Sequence, residues 1–389
     1  MSWDFKTLDE LGKVARGKSK HRPRNDKRLF GGIYPFIQTA DVKKANFYIY
    51  EYSETYNEIG LAQSKLWDAG TLCITIAANI ADTGILSMPA CFPDSIMGFI
   101  PYDGISDVRF IKYCFDILQR KCKQISQGTA QDNLSWEKLS TIKFPAPPLK
   151  IQCRIAEVLS RYDSLIENYQ KQIKLLEEAA QRLYKEWFVD LRFPGYENMK
   201  IVDGLPEGWE KNNITELADI QYGYAFDGKL FNSDKVGIPI ARIRNIPDGY
   251  TNDYTTEEAS NDYIVKNGDI LVGMDGIFHI NTWSGSDAYL VQRTCLFRPK
   301  NEILKGFIFQ AIKGPIKVFE QTLVGATVAH LGKKHIDSIK LIMPKDFHLY
   351  RPLNDLFFYR QKLLNQVRFL VEARDRMLYK LMSGEIKVY

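Results

Sequence analysis

Two acidic-x-Lys triplets are the residues of this chain whose types and spacing come closest to a catalytic motif. They are Asp227-Gly228-Lys229 and Glu385-Ile386-Lys387. Such triplets complete the metal site of a nuclease only when a further carboxylate lies on a neighbouring strand. The second triplet falls at the end of a predicted helix, so we expect both to be coincidental. A nuclease is therefore the weakest of the functional hypotheses.

Other motifs of catalytic chemistry are missing from the sequence. It contains no Gly-x-x-x-x-Gly-Lys-[Ser/Thr], no His-Glu-x-x-His and no Gly-x-Ser-x-Gly. The Asn/Asp-Pro-Pro-Tyr/Phe loop with which amino-methyltransferases hold a base is missing too. His330 and His335 are five positions apart, whereas two histidines on one helix share a metal at a spacing of four. The sequence therefore predicts a non-catalytic protein that holds no metal and no cofactor of its own.

A run of basic residues is a candidate for binding. Between Lys13 and Arg28 the chain has eight Lys or Arg residues against one acid, Asp26. The net charge of +5 permits nucleic-acid binding without requiring it. A run of this kind either forms a solvated face or holds phosphate groups, and the elements around it decide between the two.

The composition is typical of a globular protein with two domains. The 389 residues are 45% hydrophobic and 25% charged. No apolar run reaches the roughly eighteen residues that a membrane helix needs, and the first residues lack the pattern of a secretory signal. Six cysteines are scattered without a Cys-x-x-Cys pair, which favours free thiols. We expect a cytoplasmic protein that does not enter a membrane.

An internal repeat organises the whole chain. Residues 128–147 and 325–344 share a gapless skeleton 197 positions apart. The matched pairs are Gly128/Gly325, Leu134/Leu331, Ile142/Ile339, Lys143/Lys340 and Pro147/Pro344. The offset drifts from 206 at Trp3/Trp209 to 195 at Leu183/Leu378, as loop insertions and deletions would make it. Two copies of roughly 190 residues indicate a duplicated domain rather than a solenoid.

Each copy has a β-rich part followed by a long helix. Residues 70–77 and 268–274 read as strands that follow a glycine turn. Apolar residues at three-and-four spacing over 151–187, and again over 353–381, predict amphipathic helices about 50 Å long. The favoured arrangement pairs these helices antiparallel, with one β-rich domain at each end. The alternative docks each helix on its own domain.

The repeat therefore predicts an α+β fold with two β-rich α/β domains. A pseudo-twofold axis would relate the domains, and two long antiparallel coiled-coil helices would separate them. The predicted segments are a first domain at 1–148, a first helix at 149–190, a linker at 191–208, a second domain at 209–345 and a second helix at 346–389.

The motifs of the repeat resemble a known family. Each half carries Gly-x-x-x-x-[Asn/His]-Leu followed by Ile-Lys-x-x-x-Pro and a long helix, as does the specificity subunit of type I restriction–modification enzymes. The segments LYKEWFVDLRFPGYE, LPEGWE and LMSGEI are similar to the family's inter-repeat and closing segments. The resemblance spans residues 3–386. One departure is that PPLKIQCRI keeps Gln152 but lacks the Glu that often precedes it in the family.

The resemblance implies a function in DNA recognition. Each domain would be a target-recognition domain that reads one half of a bipartite sequence in double-stranded DNA. Two methyltransferase subunits would dock on the helices and carry S-adenosylmethionine, and restriction subunits with ATP and Mg²⁺ would join through them. The alternatives are a protein–protein scaffold with a coiled-coil spacer, and the specificity subunit of a methylation-only or other restriction system.

The polar loops of the two copies differ, which predicts an asymmetric target. Residues 16–28 are basic, whereas residues 222–235 are rich in aromatic residues. Tyr222, Tyr224 and Phe226 either fill a core, which is favoured, or flank an extruded base. Candidate DNA contacts are Lys, Arg, Asn, Gln and other polar residues in these loops and in the segments after the matched Pro and Gly. They are Lys18, Lys20, Arg22, Arg24, Gln38, Thr129, Gln131, Asn133, Arg242, Thr327, His330, Lys333 and Lys334.

Overall fold

A computed structural model describes residues 3–76, 82–125, 136–322 and 329–388, without the side chains of residues 121–125. Contacts divide the chain into two units. The first unit is Met1–Glu167 with Leu370–Tyr389, and the second is Asn168–Phe369.

The first unit is built on two sheets. Its described strands are β1 (Asp4–Lys6), β2 (Gly12–Arg16), β3 (Phe30–Phe36), β4 (Tyr48–Ile49), β5 (Glu54–Tyr56), β6 (Leu66–Trp67), β7 (Leu72–Thr75), β8 (Thr83–Leu86), β9 (Ala90–Cys91), β10 (Ile96–Pro101) and β11 (Phe144–Ala146). One sheet has the order β2-β10-β7-β8-β4 and the other β5-β3-β9-β6, while β1 pairs with β11. Its helices are α1 (Leu8–Leu11), α2 (Thr39–Lys44), α3 (Glu58–Ala62), α4 (Val108–Ile125), α5 (Trp136–Thr141) and the first part of α6 (Leu149–Tyr184).

The second unit has the same plan. Its described strands are β12 (Ile201–Val202), β13 (Leu205–Pro206), β14 (Trp209–Asn213), β15 (Ala218–Tyr222), β16 (Phe231–Asn232), β17 (Ile238–Ala241), β18 (Tyr254–Thr255), β19 (Ile264–Val265), β20 (Ile270–Gly273), β21 (Ile280–Thr282), β22 (Ala288–Leu290), β23 (Thr294–Pro299) and β24 (Lys340–Pro344). Its helices are the last part of α6, α7 (Ile214–Leu217), α8 (Lys305–Ala311), α9 (Lys313–Thr322), α10 (Lys333–Asp337) and the first part of α11 (Arg351–Met382). The last part of α11 belongs to the first unit. Residues 191–208, predicted as linker, include the paired strands β12 and β13.

Outside residues 191–208, the strand orders of the two units correspond, except that β4 of the first unit and β16 of the second have no counterpart. The order β2-β10-β7-β8 of the first unit returns as β15-β23-β20-β21 in the second. The order β5-β3-β9-β6 returns as β18-β17-β22-β19, with β3 parallel to β9 as β17 is to β22. The pair β1/β11 returns as β14/β24. The repeat seen in the sequence is therefore a repeat of topology, and the predicted α+β class is confirmed.

The long helices pack on each other and on the domain cores. With 36 and 32 residues, α6 and α11 are about 54 and 48 Å long, and a π-helical turn at Lys185–Val189 continues α6. In the first unit Leu159 shares a core with Leu378, and Asp163 accepts a 2.6 Å hydrogen bond from Arg374. The residue numbers of these contacts increase along α6 while those of their partners decrease along α11, so the two helices are antiparallel. Both predicted alternatives therefore hold in part.

The second unit repeats this antiparallel pairing. Ala180 of α6 shares a core with Phe357 of α11, and Glu177 accepts a 2.6 Å hydrogen bond from Arg360. The same core contains Phe307 of α8, so the helix pair is part of the domain's hydrophobic interior. Burial of these apolar side chains is the main force that holds the helices on the sheet.

A lysine beside this helix pair makes the stability of the second unit depend on pH. Burial lowers the pKa of Lys313 from its ordinary value of 10.5 to about 8. The negative charge of Glu177 opposes this shift but is the smaller effect. Between these two values the unfolded chain binds more protons than the folded one, so the free energy of unfolding rises with pH. At pH 7 we expect Lys313→Met to raise it by about 1–2 kcal/mol.

Urea denaturation of the wild type and the Lys313→Met variant at pH 7 and pH 10 measures this effect. The gain in the variant should shrink at the higher pH, because the wild-type side chain is then largely neutral in the folded protein. Lys317→Met on the same helix is the control and should show no such pH dependence. An equal gain at both pH values would contradict the expectation.

Candidate nucleic-acid interface

The basic segment of the first unit leaves β2 at Gly17 and is held close to the turn before β10. The Gly17 N–H donates to the Ile96 carbonyl at 2.8 Å, and the Lys18 N–H donates to the Phe92 carbonyl at 3.0 Å. A Cβ at position 17 would lie 2.2 Å from the Pro93 carbonyl oxygen, so only glycine fits there. The backbone of the segment is thus fixed where the basic side chains begin.

Two of the predicted arginines are held by local contacts. Arg24 Nη2 donates to Asp94 at 2.6 and 2.9 Å, and the two side chains are 49% and 40% exposed. Arg22 Nη1 donates to the carbonyls of Ser19 and His21 at 2.7 and 2.9 Å. These contacts orient the guanidinium groups while leaving them accessible. Lys18 is half-buried and Lys20 is exposed.

The one acid within the basic run is paired with two of its neighbours. Asp26 accepts hydrogen bonds from Arg28 and His21, with Nη2 of Arg28 at 2.6 Å and Nε2 of His21 at 2.9 Å. The hydrogen bonds from Arg28, followed by the one from His21, hold the pKa of Asp26 well below its ordinary value. Asp26 therefore stays ionised and cancels part of the positive charge of the run.

A cleft of about 790 Å³ opens between the basic segment and the end of β3. Its lining residues are Ser19, Arg24, Asn25, Lys27, Phe30, Gly31, Phe36, Gln38, Thr39, Glu54, Pro93 and Ser95. The structure thus brings the predicted residues Arg24 and Gln38 to one cleft, and Gln38 Nε2 donates to Glu54 at 2.6 Å. Phe36 stacks on Tyr56 with ring centres 4.0 Å apart, which makes one wall aromatic.

The second unit holds the corresponding segment with the same device. A Cβ on Gly223 would lie 2.0 Å from the Val291 carbonyl oxygen, and the Gly223 N–H donates to the Thr294 carbonyl at 3.0 Å. The matched glycines thus have one function, which is to let the segment lie against the turn before the long strand. Of the predicted aromatic residues Tyr222, Tyr224 and Phe226, the last is buried against Tyr289, as the core alternative predicts.

Gln38 and Arg242 occupy equivalent backbone positions with different side chains. The Gln38 N–H donates to the Asp41 carboxylate at 2.8 Å, and the Arg242 N–H donates to the Asn245 side chain at 2.9 Å. Each residue therefore precedes a capped helical turn. The Arg242 guanidinium lies 5.0 Å from the centre of the Phe231 ring, and burial together with Arg244 lowers its pKa.

The remaining described candidates of the second unit surround His330. The Nδ1 atom of His330 lies 2.6 Å from Asp275. Lys333 and Lys334 are exposed in the first turn of α10, and Lys333 Nζ is 5.7 Å from the centre of the Tyr222 ring. The candidates outside the described residues are Thr129, Gln131, Asn133 and Thr327.

Four charged residues of these regions were missed by the sequence analysis. Lys27 lines the cleft, and Asp94 pairs with Arg24. Asp275 and Arg293 both contact His330. Lys27 belongs to the basic run, which is its signal in the sequence. For Asp94 and Arg293 the signal is position, because they lie in the turns that directly precede the matched strands β10 and β23.

The catalytic motifs considered first have ordinary structural settings. Asp227 caps a 3₁₀ turn by accepting from the Lys229 N–H at 2.9 Å. Among the described residues, no group of three His, Cys, Asp or Glu side chains is placed to hold a metal ion. Within the same ranges, no helix has both the length and the apolar character needed to cross a membrane.

The fold and this site define a duplicated α+β protein with a cleft that is lined in part by basic and aromatic residues. The family model for the type I restriction modification DNA specificity domain matches residues 1–178 and 206–347. The chain therefore belongs to this family, as a specificity subunit of a type I restriction–modification system.

Relatives and a solved structure agree with this assignment. The chain is 27% identical to the MjaIX specificity subunit of Methanocaldococcus jannaschii, over 99% of this chain and 94% of that one. It is also 27% identical to the MjaVIII specificity subunit of the same organism, over 99% and 93%. The crystal structure of the S subunit from M. genitalium shares the fold, with a TM-score of 0.56 and 18% identity over 98% of this chain and 96% of that one.

Proposed function

We propose that this chain reads an asymmetric, bipartite sequence in double-stranded DNA, one half-site with each unit, and catalyses no reaction itself. The observation that carries this proposal is that the two units have the same framework of strands but different polar loops. Gly17 and Gly223 hold equivalent segments by equivalent hydrogen bonds. The segments themselves differ, since 18–28 is basic and 224–235 carries aromatic residues. Equal frameworks give equal approach to DNA, and different side chains read different bases.

The basic segment and its cleft suit contact with a DNA backbone. Arg22 and Arg24 offer guanidinium groups that are 56% and 49% exposed, and Arg24 lines the cleft. Guanidinium groups bind phosphate oxygens with charge-assisted hydrogen bonds, which fix the position of a protein on the duplex. Gln38 faces the same cleft and has the amide chemistry that reads adenine.

The long helices are the proposed docking sites for two methyltransferase subunits. Large apolar side chains are exposed on the first part of α11, where Phe358 is 45% exposed, Tyr359 48% and Phe369 57%. Aromatic residues are enriched at protein–protein contacts, where a partner buries them. S-adenosylmethionine would be held by the methyltransferase subunits, and ATP and Mg²⁺ by restriction subunits that join through them.

Exchange of one unit tests the two-reader model. Residues 1–147 are replaced by the equivalent segment of another family member, and the methylated adenines produced by the complex with its methyltransferase are mapped by sequencing. We expect one half of the methylated sequence to change and the other half to stay the same, because each unit reads its own half-site. Exchange of residues 209–345 is the matched control and should change the other half. A change of both halves by either exchange would contradict the model.

A further inference from the structure

Arg293 has a backbone conformation that arginine rarely adopts. It follows β22 in the turn before β23, with a φ of 68°. The left-handed region is unfavourable for a residue with a Cβ. The turn is well fixed, since the Met274 N–H donates to the Arg293 carbonyl at 2.8 Å. The side chain is nevertheless 54% exposed, so burial does not compensate for this cost.

The surrounding ion pairs do not explain the conformation either. Arg293 Nε is 3.5 Å from Asp275 Oδ2, and the Asp275 side chain is 29% exposed. Ion pairs between partly exposed side chains contribute little to the stability of a protein. A residue that is strained, exposed and held in one place is typical of a binding site.

The hydrogen atoms of the cluster leave the end of the Arg293 guanidinium available. His330 Nδ1 lies 2.6 Å from Asp275 Oδ1 and 3.2 Å from Arg293 Nη1. This nitrogen either carries a proton and donates to Asp275, or has a lone pair and accepts from Arg293, but it does not do both. The shorter distance favours donation from His330 to the carboxylate of Asp275, because hydrogen bonds to an ionised acceptor are shorter and stronger than those between neutral groups. Among the residues that the structure describes, Nη1 of Arg293 then has no acceptor.

Nη2 of Arg293 has no hydrogen-bond partner within the described part of the chain. Asp275 lies nearest the Nε atom of the guanidinium, which leaves Nη1 and Nη2 as a fork for a further acceptor. Such a fork matches the O6 and N7 atoms of guanine in the major groove with two parallel hydrogen bonds. The location agrees with this, because Ser95, at the equivalent position of the first unit, lines the cleft there.

We infer that Arg293 reads a guanine in the half-site of the second unit, with Asp275 and His330 as positioning residues that orient its guanidinium. This inference rests on the proposed function and names a residue for it. In this arrangement Asp275 is the acceptor for Arg293, and the hydrogen bond from His330 fixes the orientation of the Asp275 carboxylate.

Two substitutions at this position test the inference with the complete methyltransferase complex. Arg293→Gly removes the side chain and suits the left-handed backbone, so folding is preserved. Arg293→Lys keeps the positive charge but removes the fork. Affinity is measured for the wild-type target and for duplexes in which each base pair of the second half-site is replaced in turn.

We expect both variants to lose discrimination at one G·C pair by about tenfold to a hundredfold, while discrimination elsewhere in both half-sites is retained. Asp275→Asn should give a smaller loss at the same base pair, because the fork is present but less well oriented. A phosphate contact would instead weaken binding to all duplexes alike, and Arg293→Lys would restore most of it. That result, or unchanged discrimination in Arg293→Gly, would overturn the inference. If wild-type protein showed no preference at any position of the second half-site, the proposed function itself would fail instead.

Discussion

Replacement of Arg360 by methionine is expected to lower the free energy of unfolding by about 3 kcal/mol or more. The side chain is 7% exposed, and each nitrogen of its guanidinium donates a hydrogen bond to a different residue. Nε donates to Glu177 at 2.6 Å, Nη1 to Thr282 Oγ1 at 2.8 Å and Nη2 to Asn281 Oδ1 at 2.7 Å. Arg360 thus joins α11 to α6 and to β21 within the second unit.

Methionine fills the space of the aliphatic stem but removes all three hydrogen bonds, and Asn281 Oδ1 keeps only the Thr282 N–H as a donor among those that the structure describes. Thr282 and Asn281 are 1% and 9% exposed, so water does not replace the lost hydrogen bonds. The guanidinium also lies 5.1 Å from the centre of the Phe309 ring, and this contact is lost as well. The cost exceeds that of an ordinary surface ion pair for these reasons.

Urea denaturation followed by tryptophan fluorescence measures the effect, since Trp283 is buried beside this network. Glu177→Gln is the matched control, because its side chain is 40% exposed and keeps an oxygen acceptor. It should cost about 1 kcal/mol or less. The coupling energy from the double variant isolates the Arg360–Glu177 pair. A cost for Arg360→Met as small as that of the control would show that the network does not hold the helix.

The fold was predictable to the extent that it repeats. Trp3, Gly17 and Pro35 have counterparts at Trp209, Gly223 and Pro239, and each pair lies in or directly beside matched strands of the two units. The long helices were predictable because an amphipathic period over five heptads has few other solutions. The paired strands within 191–208 were not, because Gly204 and Pro206 indicate a turn without showing what flanks it.

For the candidate site, the sequence predicted which basic and amide side chains take part but not how they are arranged. The carboxylates that orient them lie far away in sequence, as Asp94 is 70 residues from Arg24 and Asp275 is 55 residues from His330. A single sequence does not report which distant acid meets a given cation. The left-handed conformation of Arg293 is hidden for the same reason, because the contacts that impose it come from the folded turn.

Removing three positive charges from the basic segment is expected to weaken DNA binding by the methyltransferase complex by about tenfold to a thousandfold at physiological salt. The changes are Lys20→Gln, Arg22→Gln and Arg24→Gln. Each cation that neutralises a phosphate releases a counterion, so the slope of log affinity against log salt should fall by up to about 0.9 for each residue. The methylated sequence should stay the same, since backbone contacts carry no base information.

The control removes the same charge elsewhere in the first unit, by Lys138→Gln, Lys143→Gln and Lys150→Gln, which lie outside the residues lining the cleft. Both triple variants reduce the net charge from +5 to +2, that is, 5 minus 3. A general electrostatic effect would therefore weaken both alike, whereas direct contact weakens the first far more. Size-exclusion chromatography shows whether each variant still assembles with the methyltransferase. Equal salt slopes for the assembled variants would place the DNA backbone away from the basic segment, and the cleft beside it would lose its proposed function.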